Sequence, residues 1–168
     1  MRNEMELIFD AVSDNEGFAR MAVAAFITHL NPTLEEMADI KTAVSEAVTN
    51  SIIHGYGNLY GYRKNGSACS GQEIQMHQGK VRVRCVLENE ILHIEIIDTG
   101  KGIENVEQAM EPLFTTRPDL ERSGMGFAFM EAFMDELEVE SEPGKGTTVR
   151  MAKKIGVGSW IAQEENIS

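Results

Sequence analysis

The strongest constraint on this chain is a helical pattern running from Thr33 to Gly55. Leu34, Met37, Ile40, Val44, Val48 and Ile52 recur at three- and four-residue steps, so one side of the helix must pack on a core. Thr33 is placed to cap it with Glu36 in the reciprocal position, and Gly55 suits a left-handed cap at its end. Glu46, Asn50 and His54 also recur, at steps of four. Their column lies about 200° around the helix from the Val44, Val48 and Ile52 stripe, at roughly 100° per residue. Three polar groups in one column can serve one site, although an ordinary solvated face has the same spacing.

The partner for that apolar side is a sheet. Val81, Val83, Cys85 and Leu87 alternate with Arg82, Arg84 and Val86, then Glu88-Asn89-Glu90 turns the chain, and Leu92, Ile94 and Ile96 alternate with His93, Glu95 and Ile97. This is a hairpin with one buried face, and Asp98 falls in phase with the buried set. Met5 to Phe9, Leu137 to Glu140 and Thr147 to Lys153 read as further strands, the last two joined by the turn Glu142-Pro143-Gly144-Lys145-Gly146. Between the first strand and the long helix, Ser13 and Glu16 can form a capping box for a helix with Phe18, Met21, Ala22, Ala25, Phe26 and Leu30 on its apolar stripe. A short helix fits residues 103–110, and Gly124-Met125-Gly126 opens another that runs to Glu136. The expected architecture is α+β, a two-layer α/β sandwich with a mixed, mainly antiparallel sheet and helices on one face.

A chain of 168 residues is the size of one domain with an adequate core. We expect one domain over 1–155, a loop insertion at 57–79 rich in Gly, Asn, Ser, Tyr and Gln, and a tail at 156–168. Cys69 and Cys85 have neither C-x-x-C spacing nor neighbouring histidines, which argues against zinc and redox motifs and suits reduced thiols in the cytoplasm. No apolar run approaches the roughly 18 residues that a membrane span needs. A formal charge of −12 repels a phosphate backbone, so direct nucleic-acid binding is not expected and a basic protein partner is admissible.

Asp98 carries the first chemical signal. An unpaired carboxylate on a buried face is costly, so it needs a donor. Gly100 and Gly102 follow at once, removing side chains so that a flat ligand could approach. An exocyclic purine amine satisfies both observations, although Asp-x-Gly is also common in surface turns. Gly124-Met125-Gly126, where a loop becomes a helix, offers free N–H groups to an anion or simply caps the helix. Phe129 stands where a dinucleotide fingerprint has its third glycine, and glycine follows Lys145 where a Walker loop has Ser or Thr. Glu111 to Ser123, with two prolines and two threonines, reads as a lid.

Together, Glu-x-x-x-Asn at 46–50, Asp-x-Gly-x-Gly at 98–102, Gly-x-Gly at 124–126 and Gly-Thr-Thr at 146–148 resemble the ATP-binding fold shared by gyrase, Hsp90, histidine kinases and MutL. Ser-Glu-Ala-Val-Thr-Asn at 45–50, Pro-Leu-Phe-Thr-Thr at 112–116 and Glu-Arg-Ser-Gly-Met-Gly-Phe at 121–127 are similar to the anti-sigma F factors of endospore-forming bacteria, serine kinases that also inhibit a sporulation sigma factor. The resemblance covers roughly 1–56 and 80–153. It implies ATP and magnesium as cofactors, with a sigma factor and an anti-anti-sigma substrate as partners, and a homodimer. It implies Glu46 as general base, Asn50 as magnesium ligand and Asp98 as adenine reader, with Gly100 and Gly102 shaping the base pocket. Ser123, Gly124, Met125 and Gly126 would surround the phosphates; Thr115, Thr116, Arg117 and Arg122 belong to the lid over them. Thr147 would support Asp98, and Arg20 would contact partners. A hydrolytic switch, in which Glu46 activates water, and a non-catalytic nucleotide-holding module are the alternatives.

Overall fold

The computed structural model of the chain describes residues 2–57, 79–112 and 124–156. In order these form β1 (Arg2–Asp10), α1 (Asp14–Ile27), α2 (Leu34–Asn50), β2 (Lys80–Glu88), β3 (Ile91–Asp98), α3 (Val106–Met110), α4 (Gly126–Phe133), β4 (Glu136–Glu142) and β5 (Gly146–Lys154). The strands make one five-stranded sheet in the order β1-β2-β3-β5-β4. All four pairings are antiparallel, the major component of the expected sheet.

The period-two pattern sorts the sheet into two faces. Val81, Val83, Cys85 and Leu87 of β2, with Leu92, Ile94 and Ile96 of β3, are buried against Ala19, Val23 and Ile27 of α1 and Ile40, Ala43, Val44, Ala47 and Val48 of α2. Among the described residues, helices therefore cover one face only. The other carries charge in register: Glu6, Arg84, Glu95, Arg150 and Glu138 follow one another across the strands. Arg84 pairs with Glu4 at 2.7 Å and Glu95 at 3.4 Å, and Arg150 with Glu95 at 3.0 Å and Glu140 at 2.6 Å. A one-residue slip would bury this row and expose the aliphatic one, so the two faces together fix the register. Cys85 lies in the core, where burial pushes its thiol up to about 12.

The helices depart from expectation in four details. α4 ends at Phe133, and Glu136, expected as its last residue, opens β4 instead. The buried side of α1 is Ala19, Val23, Ala24 and Ile27, whereas Phe18 and Met21 are each 55% exposed. Small alanines let α1 lie close to its neighbours, and the larger side chains turn outward. Ser13 makes no side-chain cap: its backbone is already helical and the Glu16 N–H bonds to the Ser13 carbonyl at 3.2 Å, while the Glu16 carboxylate is engaged with Arg20 and Ser45. The capping box of α2 does form, Thr33 Oγ1 accepting from Glu36 N–H at 3.1 Å and Glu36 accepting from Thr33 N–H at 2.8 Å. The far end of α2 is not a left-handed cap. It widens into a π-helical turn over Ser51–Gly55, a form found preferentially at functional positions. No helix among the described residues is long and apolar enough to cross a membrane.

Candidate functional site

The π-helical turn aims two small residues at the end of β3. Ser51 is buried and its hydroxyl donates to Asp98, while a Cβ on Gly55 would stand 2.9 Å from Asp98 Oδ1. Asp98 is 4% exposed. Its Oδ1 also accepts from Gly100 N–H at 3.0 Å and Thr147 N–H at 3.3 Å. Burial raises the carboxyl above the ordinary carboxylate range, and these three donors oppose that shift in part. Thr147 thus supports Asp98 through its backbone. Its hydroxyl lies 2.9 Å from Ser141 Oγ, which in turn donates to Gly146 O and accepts from Ile103 N–H.

Gly100 and Gly102 are needed by the protein itself. A Cβ at Gly100 would stand 2.1 Å from the Gly55 carbonyl oxygen, and Gly55 O also accepts from Lys101 N–H at 2.7 Å. Gly102 has φ +73° and a Cβ there would meet Glu142 O at 2.2 Å. Gly102 lines the cleft described next; at Gly100 the space is filled by the π-helical turn, so the close approach expected of a ligand is there made by backbone. Gly100→Ala is accordingly expected to cost about 3 kcal/mol or more, since backbone atoms cannot rotate aside. Denaturant unfolding of the variant measures this.

Asn50, Asp98, Gly102, Gly124, Gly126 and Thr147 line one cleft of about 450 Å³. His54 and Phe127 also reach it. The first turn of α4 closes one side, and a Cβ on Gly126 would stand 3.0 Å from Glu46 Oε2 and 3.4 Å from Asn50 Nδ2. The absence of a side chain at Gly126 therefore lets a helix N-terminus approach both polar groups of the α2 column. The partial positive charge there favours the Glu46 carboxylate and any other anion that comes beside it. Met125 is the residue just before α4, its carbonyl accepting from Phe129 N–H at 2.9 Å.

Arg20 sits apart from these residues on α1. Its guanidinium donates to Glu16 at 3.0 Å and reaches Ser45 Oγ at 3.4 Å, and the Ser45 hydroxyl donates to the same Glu16 carboxylate. Thr115, Thr116, Arg117, Arg122 and Ser123 lie outside the described residues, as do Cys69, most of the 57–79 segment and nearly all of the tail. Sequence reasoning missed Ser51. Its signal was a small hydroxyl residue directly after Asn50 among aliphatic neighbours, but only the π-helical turn makes it face Asp98.

Comparison with known proteins gives the family. The profile of the histidine kinase-like ATPase domain family matches residues 11–153. The chain is 54% identical over 157 residues to the anti-sigma F factor of Clostridium acetobutylicum, covering 94% of this chain and 97% of that protein. It is 57% identical over 154 residues to the anti-sigma F factor of a Thermoanaerobacter species, with 92% and 95% covered. Among solved structures, the RsbU and RsbW domains of a Mycobacterium tuberculosis protein superpose with a TM-score of 0.58 at 18% identity, covering 91% of this chain and 32% of that one. The catalytic domain of the histidine kinase ThkA does so with a TM-score of 0.51 at 13% identity, covering 90% and 96%. The structural likenesses establish the fold, and the sequence matches along nearly the full length of both partners establish the family: the chain belongs to the anti-sigma F factors, within the histidine kinase-like ATPase domains.

Proposed function

We propose that the cleft holds ATP with magnesium, and that the protein phosphorylates a serine of an anti-anti-sigma partner and inhibits a sporulation sigma factor. The observation that carries this reading is the convergence on one cleft of a buried carboxylate, the Asn50 amide and the N-terminus of α4, with Glu46 beside the same glycine as Asn50. Asp98 accepts from Gly100 N–H, Thr147 N–H and the Ser51 hydroxyl, and a remaining lone pair of the carboxylate would accept from the adenine amine. Gly124, Met125 and Gly126, joined by Thr115, Thr116, Arg117, Arg122 and Ser123 of the lid, would hold the phosphates. The working unit would be one domain over 1–155, with 57–79 as an insertion and 156–168 as a tail.

Among the described residues no group of three His, Cys, Asp or Glu side chains could hold a metal by protein ligands alone. The neutral amide of Asn50, which lines the cleft, would suit magnesium, a cation that keeps several waters and takes few protein ligands. When bound, the metal would neutralise phosphate charge. Glu46 would accept the proton as the serine O–H bond breaks; the serine oxygen bonds to the γ-phosphorus and the bridging oxygen leaves with ADP. The position of Glu46 one turn from Asn50, beside Gly126, supports that role.

Arg20, held by Glu16 and Ser45 but 42% exposed along its side chain, is the proposed partner contact. Among the described residues β1 pairs with β2 alone, and its other edge supports the homodimer. The excess of acidic side chains argues against direct contact with nucleic acid.

The test is direct. Magnesium and ATP at about 100 times the dissociation constant are expected to stabilise the protein by roughly 2.7 kcal/mol in thermal unfolding. Label from the γ-phosphate should then appear on the serine-bearing partner. Absence of any thermal shift would remove the nucleotide reading, and label released only as free phosphate would favour the hydrolytic switch.

A further inference from the structure

Tyr56 follows the π-helical turn, and its hydroxyl is inserted between the ends of β2 and β3. It accepts from Thr99 N–H at 2.9 Å and donates to the Lys80 carbonyl at 2.5 Å, while Thr99 Oγ1 lies 3.3 Å away. Val81 is the partner of Asp98 in the ladder, so Lys80 and Thr99 would form the next rung. The Thr99 N–H and the Lys80 carbonyl bond to the phenol instead. The last rung is held open by a side chain.

The ring is itself fixed. A Cβ on Gly79 would stand 2.3 Å from Tyr56 Cδ1 and 2.4 Å from Cε1, so the ring lies flat over a position that tolerates no side chain. Gly79 O accepts from Ala11 N–H at 2.8 Å, which ties this floor to the end of β1. Residues 55 and 56 thereby grip the turn after Asp98 from one side, Gly55 O through Lys101 N–H and Tyr56 Oη through Thr99 N–H. The direction in which the chain leaves Asp98 sets where its carboxylate points.

We propose that Tyr56 is a positioning residue for purine selection: its hydroxyl keeps the β2–β3 ladder from closing by one more rung and so holds Asp98 at the place where it distinguishes an amine from a carbonyl on the base. This rests on the nucleotide reading above. Without the hydroxyl, Thr99 N–H and Lys80 C=O can bond to each other, which satisfies both groups and draws the turn toward β2. The expected signature is a loss of selectivity with little loss of fold.

The experiment compares wild type, Tyr56→Phe and Gly79→Ala by thermal unfolding without nucleotide and by titration with magnesium ATP and magnesium GTP. For Tyr56→Phe the ATP-to-GTP affinity ratio should fall roughly tenfold, the scale of one hydrogen bond's worth of misplacement, with the nucleotide-free midpoint little changed. Gly79→Ala, which pushes the ring off its seat, should move the ratio in the same direction. A ratio equal to wild type in both variants overturns the proposal, as does a Tyr56→Phe protein that does not fold, since the phenol would then belong to the scaffold alone. A wild type stabilised by neither nucleotide overturns the purine reading itself; a wild type that binds ATP beside variants of unaltered ratio overturns only the role of Tyr56.

Discussion

Asp98→Asn is expected to abolish the stabilisation by magnesium ATP while leaving the nucleotide-free protein at least as stable near neutral pH. The donors around the side chain decide this. Gly100 N–H and Thr147 N–H both point at Oδ1, so an asparagine at this position must turn its carbonyl toward them and present its NH2 group at the cleft. There it would meet the amine of adenine, donor against donor. Replacing a charge-assisted acceptor by an opposed donor should weaken ATP binding by about 3 kcal/mol or more, over a hundredfold. The same NH2 can donate to a guanine carbonyl, so preference for ATP over GTP should collapse rather than merely shrink. Titration of both nucleotides against the variant measures it, and an unchanged preference would refute the adenine-reading role.

The pH dependence follows from the same burial. The folded-state pKa of Asp98 lies above its unfolded value, so the folded protein takes up this proton more readily than the unfolded chain does. Its contribution to stability is fully present below the ordinary carboxylate range and is lost as pH rises through the raised value. Nucleotide affinity moves the opposite way, because the amine needs the ionised acceptor. ATP binding should therefore weaken on acidification at a higher pH than a free aspartate would dictate, which titration of the wild type with magnesium ATP across the acidic range measures.

The strands and α2 were legible because both of their faces carry a signal. A strand that alternates aliphatic and charged residues, as Val81 to Leu87 does with Arg82 and Arg84, has one register in which neither set is misplaced. The first helix lacks that contrast. Its alanines and large apolar residues are spread around most of the circumference, and size suggested Phe18 and Met21 for the interior when close packing selected Ala19 and Ala24. The π-helical turn was illegible for a different reason: one extra residue per turn leaves no mark in composition, yet it decides that Ser51 and Gly55, rather than a continued helical face, meet Asp98. Spacing could propose that positions 46, 50, 98 and 126 belong together. It could not show that Gly55 leaves room for Asp98 and that Gly100 leaves room for Gly55.

Glu46→Gln should separate binding from transfer. The substitution keeps the volume of the side chain beside Gly126 and an oxygen for neighbouring donors, so the approach of α4 to α2 need not change. What it removes is the ability to take up a proton. If Glu46 receives the proton of the serine hydroxyl, phosphoryl transfer to the protein substrate should slow by about 10² to 10⁴-fold, the usual range for a positioned general base, or roughly 3 to 5 kcal/mol of barrier. Magnesium ATP affinity should stay within a few-fold of wild type, because Asp98, Asn50 and the α4 N-terminus remain. Single-turnover transfer from labelled ATP, read beside a binding titration, distinguishes the outcomes. A parallel fall in both would make Glu46 an anchor for the α4 N-terminus instead of a base, since loss of its charge would then act by loosening the phosphate site. Transfer at the wild-type rate would leave deprotonation of the serine to solvent or to the phosphate oxygens, as a loose transition state with little bonding to the nucleophile permits.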